Sequence, residues 1–415
     1  MNLKLGCVAD DFTGASDAAS FLREQGIKTI LFNGIPREEL TESCGAAVIA
    51  LKSRTAPVEE AVRNSLEALE WLKTMGAERL YVKYCSTFDS TKEGNIGPVL
   101  DGALERLGIS YTLLCPSLPV NGRTVENGCL YIKGIPLHKT HMRNHPLTPM
   151  WDADIHVLMK EQSRYPCLNL SVKDMEEGRE AVEEKIKSYA RGKEHFYVIP
   201  DYYREEHGAL ILSCFPALPL LSGGSGLLSV GGLCGDPEKW EEDEGRGSAG
   251  KTLLLAGSCS KVTLEQIDNY RRTGNDMVRI YPEKVLSGQQ SPESLWKEAG
   301  RKDKVLLYSS DSADHVKEIQ EKGKERVAEM LEQTMAGLAC LAQAEGYTQI
   351  IVAGGETSGA VIKGLGYRSY LIGKSIDPGV PVMIPTENRR LRLVLKSGNF
   401  GQPDFFDRAV KITAV

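Results

Sequence analysis

Short apolar runs rich in Val, Ile and Leu recur along the chain and alternate with longer amphipathic stretches. Runs of this length, bounded by Gly, Asp or Ser, are typical of strands buried on both faces. The predicted strands are Leu3–Val8, Thr29–Phe32, Ala46–Leu51, Leu80–Cys85, Tyr111–Cys115, Leu218–Leu221, Thr252–Ala256, Val305–Tyr308, Ile350–Val352 and Leu391–Lys396.

Helical periodicity fills the intervals between these runs. From Val58 to Met75 the apolar side chains recur at spacings of three and four, and a longer helix is predicted from Glu325 to Ala344. Regular alternation of strand and helix indicates right-handed parallel βαβ units in both halves. The predicted fold class is therefore α/β, with two Rossmann-like domains, mostly parallel sheets and an active site in the cleft between them.

Length and composition restrict the class of protein. The chain has 415 residues, a net charge of −6 and 41% hydrophobic residues, which suits a multidomain enzyme and disfavours nucleic acid as a partner. No apolar run is long enough to span a membrane, and no Cys-x-x-Cys pair occurs, so we expect a cytoplasmic protein. A charged, Gly-rich linker at 234–250 separates predicted domains 1–233 and 251–415.

Glycine loops follow three predicted strands of the C-terminal half. Ile350–Val352 leads into Gly354, Gly355, Glu356, Thr357 and Ser358, where Thr357 and Ser358 are predicted helix N-caps. Leu391–Lys396 leads into Gly398 and Asn399, and Thr252–Ala256 leads into Ser258. Such loops bind phosphate through backbone N–H groups, although an ordinary turn that needs glycine for its geometry is an equal alternative for any one of them.

Polar side chains follow the strands of the N-terminal half. Asp10 and Asp11 come directly after the first strand, where they can bind Mg²⁺, hold hydroxyls or accept a proton, or one of them can merely cap the next helix. The loop after the strand that contains Lys83 is rich in hydroxyl and carboxyl groups, which suits a polyhydroxylated ligand but also a solvated turn. The candidate substrate contacts are Ser86, Asp89, Ser90, Thr91, Arg123 and His145.

Two further sequence patterns are similar to known binding sites, but their surroundings argue against that interpretation. His138, His141 and His145 have helical spacing, but prolines bracket them and no fourth ligand is near, so zinc is disfavoured and no metal-ligand set is predicted. Gly245–Thr252 matches the P-loop pattern letter by letter. A functional P-loop follows a strand and opens a helix. Here an acidic linker precedes the match and a strand is predicted to follow it, so we reject it.

Several motifs resemble those of the four-carbon acid sugar kinase family, and the resemblance covers nearly the whole chain. They are Ala9-Asp10-Asp11-Phe12-Thr13-Gly14-Ala15, Asn121–Thr124, His145–Met150, Gly354–Gly359 and Lys396–Gly401. The resemblance implies an N-terminal domain for the acid sugar and a C-terminal domain for ATP with Mg²⁺. It also implies transfer of the γ-phosphoryl group to the terminal 4-hydroxyl.

The resemblance also bears on roles and specificity. Within that framework the candidate catalytic residues are Asp11, Asp10 and Lys83, with Asp11 preferred to Asp10 because it stands at a strand's C-terminal end beside a helix start, and the C-terminal glycine loops are the candidate contacts for the ATP phosphates. The segment Lys83–Thr91 is most similar to that of members acting on 3-oxo-tetronate, with D-threonate and D-erythronate as the alternative substrates. The sequence around Asp201 departs from the family pattern, which leaves that residue's role open. A homodimer stays open, as does a non-catalytic nucleotide or sugar-acid sensor, whereas Asp10 and Asp11 stand where a dinucleotide-binding oxidoreductase needs glycines.

Overall fold

The computed structural model describes residues 3–40, 42–145, 147–234, 250–310 and 324–414. The chain divides into two compact units, Met1–Trp240 and Glu241–Val415, called here the N-terminal and C-terminal units. Nearly all of the predicted linker, 234–250, lies outside the described residues, and the predicted domain limits stay a prediction.

Five parallel strands form the main sheet of the N-terminal unit, in the order β11-β4-β1-β3-β2. A three-stranded parallel sheet (β5-β10-β9) and a three-stranded antiparallel sheet (β6-β7-β8) complete the unit. The strands are β1 (Leu5–Ala9), β2 (Thr29–Asn33), β3 (Ala46–Ala50), β4 (Arg79–Lys83), β5 (Tyr111–Leu113), β6 (Arg123–Glu126), β7 (Cys129–Ile132), β8 (Ile135–Pro136), β9 (Cys167–Leu170), β10 (Phe196–Pro200) and β11 (Leu220–Gly223).

Helices cover the faces of these sheets, and every residue of β1 and β3 is buried, as expected for strands covered on both faces. The helices of this unit are α1 (Phe12–Glu24), α2 (Val58–Thr74), α3 (Ile96–Leu107), α4 (Ile155–Lys160), α5 (Val172–Glu176), α6 (Arg179–Ala190) and α7 (Glu205–Cys214).

The C-terminal unit has a mixed sheet. Its parallel part has the order β18-β15-β12-β14-β13, and the hairpin β16–β17 joins it through an antiparallel pairing of β17 with β18. The strands are β12 (Thr252–Ala256), β13 (Met277–Arg279), β14 (Lys304–Tyr308), β15 (Gln349–Ala353), β16 (Ser369–Asp377), β17 (Val380–Pro385) and β18 (Arg392–Lys396). The helices are α8 (Lys261–Arg272), α9 (Pro282–Leu286), α10 (Pro292–Ala299), α11 (Lys324–Ala344), α12 (Gly355–Leu365) and α13 (Phe405–Thr413).

The α/β class is confirmed, and each strand predicted from an apolar run is present within a few residues of its expected limits. The antiparallel elements β6–β8 and β16–β17 are additions that no sequence pattern had indicated. No helix among the described residues is long and apolar enough to cross a membrane.

Candidate functional site

The turn Asp10–Asp11 lies where β1 ends and α1 begins. Asp11 is the N-cap of α1, and its Oδ1 accepts a hydrogen bond of 2.5 Å from the backbone N–H of Gly14. The capping role that the sequence left open is therefore present. It uses one oxygen of Asp11, and the side chain is still about one-third exposed.

Arg54, which follows β3, is the main partner of both carboxylates. Its Nε and Nη2 donate to the two oxygens of Asp10 at 2.8 and 2.9 Å. Its Nη1 lies 2.8 Å from Oδ2 of Asp11 and 3.9 Å from Oδ2 of Asp89. The guanidinium thus joins the loops that follow β1, β3 and β4, which are adjacent strands of the sheet.

Asn95 holds the loop that carries Arg54. Its Nδ2 donates to the carbonyl oxygens of Ser53, Arg54 and Ala56 at 2.6, 3.3 and 2.9 Å. The backbone N–H groups of Ser53 and Arg54 in turn donate to the carbonyl of Asp10. Asn95 is buried at the start of α3, so the loop is fixed to the body of the unit. Neither Arg54 nor Asn95 was singled out from the sequence.

Lys83 is the last residue of β4, and its side chain is 4% exposed. Its Nζ donates to the carbonyl of Tyr84 at 3.0 Å. A methyl group placed on Gly14 would lie 2.6 Å from Asp11 Oδ1, 3.3 Å from Lys83 Nζ and 3.8 Å from Asp10 Oδ1. The three predicted catalytic side chains therefore converge beside Gly14, where any larger residue would intrude.

The charges of this site oppose one another. Burial raises the pKa of Asp11, and the adjacent Asp10 adds to that rise, while Arg54, Lys83 and the Gly14 N–H act in the opposite direction. Burial also raises the pKa of Asp17 on α1, against the attraction of Lys83. Asp17 accepts a hydrogen bond from the hydroxyl of Ser225, which follows β11. Asp17 and Ser225 are further polar groups of this edge that the sequence analysis had not selected.

The loop after β4 has an unusual backbone. Phe88 and Asp89 have φ values of 66° and 45°, so two consecutive non-glycine residues occupy the left-handed region. The Phe88 ring is fully buried and packs edge-on against Tyr84 at 5.8 Å. Thr87 Oγ1 donates to Asp89 Oδ1 at 2.7 Å, so packing and hydrogen bonding together hold the strained backbone and direct the Asp89 carboxylate.

The structure brings several predicted residues together around one cavity of about 30 Å³, which has room for ordered water. Its polar lining comprises Asp10, Ser53, Arg54, Ser65, Lys83, Tyr84, Asp89, Ser90 and Asn95. The hydroxyl of Ser90 donates to Gln162 Oε1 at 2.8 Å, a contact that fixes the loop. Ser86 and Thr91 are half-buried.

Arg123 and His145 have different surroundings. Arg123 Nη1 donates to the carbonyl of Asn121 at 2.7 Å, its Nε is buried without a partner among the described residues, and its charge acts on Asp17. His145 Nδ1 accepts from the Thr148 backbone N–H at 3.1 Å, a local contact within its own loop. Asp201 accepts from the Gly128 N–H of the β6–β7 turn, a structural contact.

A second group of loops follows β12, β15 and β18, which are adjacent parallel strands of the C-terminal unit. Ser260, the N-cap of α8, donates from its Oγ to the carbonyl of Gly398 at 2.6 Å. A Cβ on Gly398 would lie 2.2 Å from Ser258 Oγ, and a Cβ on Gly354 would lie 3.2 Å from Ser258 N. Ser258, Gly354 and Gly398 therefore lie close together, because neither glycine has a Cβ that would hold the loops apart. Asn399 follows Gly398 in the same loop.

The start of α12 differs from the prediction. Gly354 is its N-cap, with φ 134° and no side-chain capping bond, and the helix begins at Gly355. Thr357 and Ser358 lie inside the first turn, so the prediction that they are N-caps was wrong. A Cβ on Gly355 would meet nothing within 4 Å. Among the described residues no N-cap side chain bonds to this helix start, and space is open in front of Gly355, which suits an anion.

Lys396, the last residue of β18, lies beneath these loops and is 1% exposed. Its Nζ donates to Thr263 Oγ1, to the carbonyl of Ser397 and to the carbonyl of Gly398 at 3.0, 3.2 and 3.2 Å. Burial lowers its pKa to about 8, against the attraction of Asp377. In the loop after β12, Cys259 is the one exposed residue among the chain's ten cysteines, all of which lie in described segments.

The P-loop pattern falls largely on residues outside the described ones, which resume at Gly250. Thr252 begins strand β12, as expected, whereas a P-loop would open a helix at this point. Lys251 donates to the carbonyl of Arg301 at 2.8 Å and lies 3.7 Å from Asp303 Oδ1, away from the glycine loops at the other end of β12. Among the residues the structure describes, no group of three His, Cys, Asp or Glu side chains is arranged to hold a metal ion.

Comparisons with known proteins match both units. The family model of a sugar-binding N-terminal domain matches residues 5–230, and that of a nucleotide-binding C-terminal domain matches residues 253–406. The chain is 39% identical to a 3-oxo-tetronate kinase of Brucella melitensis, over 99% of this chain and 96% of the relative. It is also 39% identical to the 3-oxo-tetronate kinase of Pectobacterium atrosepticum, over 99% of each chain.

Two crystal structures share the fold. A Salmonella typhimurium LT2 protein, given the provisional description tRNA synthase, superposes with a TM-score of 0.90 at 37% identity and 98% coverage of each chain. A Haemophilus influenzae protein superposes with a TM-score of 0.84 at 38% identity, over 98% of this chain and 100% of the other. The matches are full-length, so they concern both units and both groups of loops.

Proposed function

This chain belongs to the four-carbon acid sugar kinase family, and we propose that it transfers the γ-phosphoryl group of ATP to the terminal 4-hydroxyl of 3-oxo-tetronate. The observation that carries the proposal is the identity of 39% to 3-oxo-tetronate kinases over 99% of the chain. The convergence of Asp10, Asp11 and Lys83 beside Gly14 supports it independently, because it supplies charged groups suited to an acid sugar.

The N-terminal unit binds the acid sugar in this proposal. Lys83 and Arg123 are cations at its polar edge, and each can pair with the substrate's carboxylate or donate to its keto oxygen. In the loop after β4, the Asp89 carboxylate accepts hydrogen bonds from substrate hydroxyl groups, and the Ser86 hydroxyl donates to them or accepts from them. Ser90, Thr91 and His145 stay predicted contacts, and the bond from Ser90 to Gln162 favours a loop-fixing role for that hydroxyl.

The C-terminal unit binds ATP. The uncapped start of α12 at Gly354 and Gly355 provides backbone N–H groups and the positive end of a helix dipole for the phosphates. Ser258, Thr357, Ser358, Gly398 and Asn399 complete the predicted phosphate loops, and Glu356 lies in the first turn of α12. Mg²⁺ accompanying ATP would neutralise phosphate charge when bound, and no group of three His, Cys, Asp or Glu side chains among the described residues is arranged to hold it.

Asp11 is the proposed proton acceptor. As the 4-hydroxyl oxygen attacks the γ-phosphorus, the bond to the ADP oxygen breaks and the hydroxyl proton moves to Asp11. Phosphoryl transfer depends mainly on positioning and on charge neutralisation, so Asp11 also orients the hydroxyl. The side chain of Asp11 is 32% exposed and that of Asp10 is 16% exposed, and this larger exposure favours Asp11 for the role.

The decisive experiment measures kcat/KM for 3-oxo-tetronate, D-threonate and D-erythronate side by side at saturating MgATP. We expect 3-oxo-tetronate to be preferred by at least about tenfold, the ratio that one mismatched hydrogen bond of about 1.4 kcal/mol produces. A preference for D-threonate would leave the kinase assignment intact and reject the substrate. Absence of ADP formation with all three acids would favour a non-catalytic sensor.

Three further expectations stay predictions. The first is the location of the active site in the cleft between the two domains. The homodimer and the cytoplasmic location likewise await solution and cellular experiments.

A further inference from the structure

We propose that Arg54 is a positioning residue that orients the Asp11 carboxylate and keeps it ionised for proton transfer. The proposal rests on the proposed function, in which Asp11 accepts the proton of the 4-hydroxyl. It adds a residue that no motif indicated and that acts through Asp11 rather than on the substrate.

The geometry of the guanidinium divides its donors between two carboxylates. Nε and Nη2 form the fork that binds Asp10, at 2.8 and 2.9 Å. This leaves Nη1 for Asp11, whose Oδ2 lies 2.8 Å away. Asp11 is therefore held at both oxygens, by Gly14 N–H at Oδ1 and by Arg54 at Oδ2. A carboxylate has about four acceptor positions, so two remain for a substrate hydroxyl.

The loop of Arg54 is itself fixed. Asn95 donates to three of its carbonyl oxygens, and the N–H groups of Ser53 and Arg54 donate to the carbonyl of Asp10. Arg54 is thus bonded to Asp10 through both main chain and side chain. Such a double attachment fits a group that sets the orientation of its neighbours, because a freely moving arginine would lose the fork geometry.

The charges around Asp11 explain why an arginine is needed. Burial raises the pKa of Asp11 and Asp10 raises it further; Arg54 provides the largest opposing effect, ahead of Lys83. More distant charged groups act on these two cations: Asp89 and Cys85 face Arg54, and Asp17 faces Lys83. Without Arg54, Lys83 and the Gly14 N–H alone oppose burial and repulsion, so Asp11 would take up a proton at a higher pH.

The test compares the pH profiles of kcat/KM, at saturating MgATP, for wild type, Arg54→Gln, Arg54→Lys and the control Arg63→Gln. Arg63 is an exposed arginine of α2 outside the site. Removing the charge should move the acidic limb of Arg54→Gln to higher pH and lower kcat/KM at neutral pH by at least about tenfold. Arg54→Lys retains the charge without the fork, so its limb should stay near that of wild type while kcat falls. Arg63→Gln should match wild type throughout.

If the acidic limb of the kcat/KM profile of Arg54→Gln lies at the same pH as in wild type, the proposal is overturned, however much kcat/KM itself falls. Equal shifts in both Arg54 variants would also contradict it, since they would indicate a structural effect unrelated to charge. If Arg54→Gln does not fold, judged by its melting curve, the profile of Arg54→Lys decides: an acidic limb at higher pH than in wild type, although the charge is retained, rejects the role. The wild-type assay separately tests the proposed function, because its failure appears before any variant is compared.

Discussion

Asp11 combines a helix cap with the proposed catalytic role, and an amide can preserve the first while removing the second. Asparagine is as good an N-cap as aspartate, so Asp11→Asn should keep the bond from Gly14 and the fold. Because a general base contributes roughly 10²–10⁴-fold, kcat should fall by that order with a modest change in KM. Steady-state kinetics with a melting curve checks this, and wild-type turnover in the folded variant would leave Asp11 as a cap alone.

Lys396 should give the folded protein a pH-dependent stability. Its pKa falls from the ordinary 10.5 to about 8 on folding, because burial disfavours the charged form. Below about pH 8 the lysine is protonated in both states and its burial is unfavourable. Between about 8 and 10.5 only the unfolded state keeps the proton, so the stability contributed at this site rises with pH.

The comparison with Lys396→Met isolates this effect from other titrating groups. The melting temperature of wild type minus that of the variant should increase between about pH 7 and pH 9. A difference that stays constant or decreases would show that Lys396 keeps its proton in the folded protein over this range.

At the residue scale, the sequence identified groups whose chemistry follows from their own type and position. Asp10, Asp11 and Lys83 follow or end apolar runs, and they do converge. Arg54 and Asn95 were not predicted from the sequence, because their importance depends on the order of β4, β1 and β3 in the sheet. That order places loops that are distant in the sequence side by side. A residue's hydrogen-bonding capacity is visible in the sequence, but its partners forty residues away are not.

Two glycines of the phosphate loops should respond differently to substitution, although their sequence contexts look alike. Gly355 faces open space, so Gly355→Val should fold normally and raise the KM for ATP by about tenfold or more through a clash with the bound phosphates. A Cβ on Gly398 would come within 2.2 Å of Ser258 Oγ, so Gly398→Val should also lower the melting temperature.

Gly359 supplies the matched control, because it lies in the same helix as Gly355 and also has no neighbour within 4 Å. Gly359→Val carries the same loss of glycine and the same β-branched side chain one turn farther along. If Gly359→Val and Gly355→Val raise the ATP KM equally, a steric effect at the helix start is excluded.

At the element scale, apolar runs located the parallel strands because burial on both faces leaves little freedom in composition. The hairpin β16–β17 was missed because glycine and lysine interrupt its first strand, and the pairing shifts register there. The start of α12 was misplaced because Thr357 and Ser358 are good caps by type. Gly354 is the N-cap instead, with a positive φ that threonine and serine would not readily adopt.

The two units should respond to different ligands. Hydrogen exchange with a non-hydrolysable ATP analogue should slow in the C-terminal loops at 257–260, 354–358 and 397–401. Exchange with 3-oxo-tetronate alone should slow in the N-terminal segments at 10–14, 53–56 and 86–91. Ligand-bound backbone groups are protected because opening must compete with binding. Protection by ATP in the N-terminal segments alone would reverse the assignment of the units.

At the scale of the whole molecule, the sequence predicted two α/β halves because both show the same alternation of strand and helix. Full-length family matches support the assignment of sugar and nucleotide to the two halves. The arrangement of the halves is a different matter, since it depends on surfaces whose complementarity leaves no periodic pattern. The P-loop match illustrates the same limit, because letters alone do not reveal that Thr252 begins a strand.

The exposure of Cys259 makes the proposed phosphate loop after β12 accessible to a chemical reporter. Burial raises the pKa of other cysteines, such as Cys7 and Cys115 to about 12, so their reactive thiolates are scarce at neutral pH. An environment-sensitive maleimide dye should therefore attach first at Cys259, and Cys259→Ser should abolish the rapid phase. If ATP binds at this loop, it should slow the labelling and change the fluorescence of labelled protein. The fluorescence of the labelled protein would then report nucleotide binding in the absence of any acceptor and without turnover.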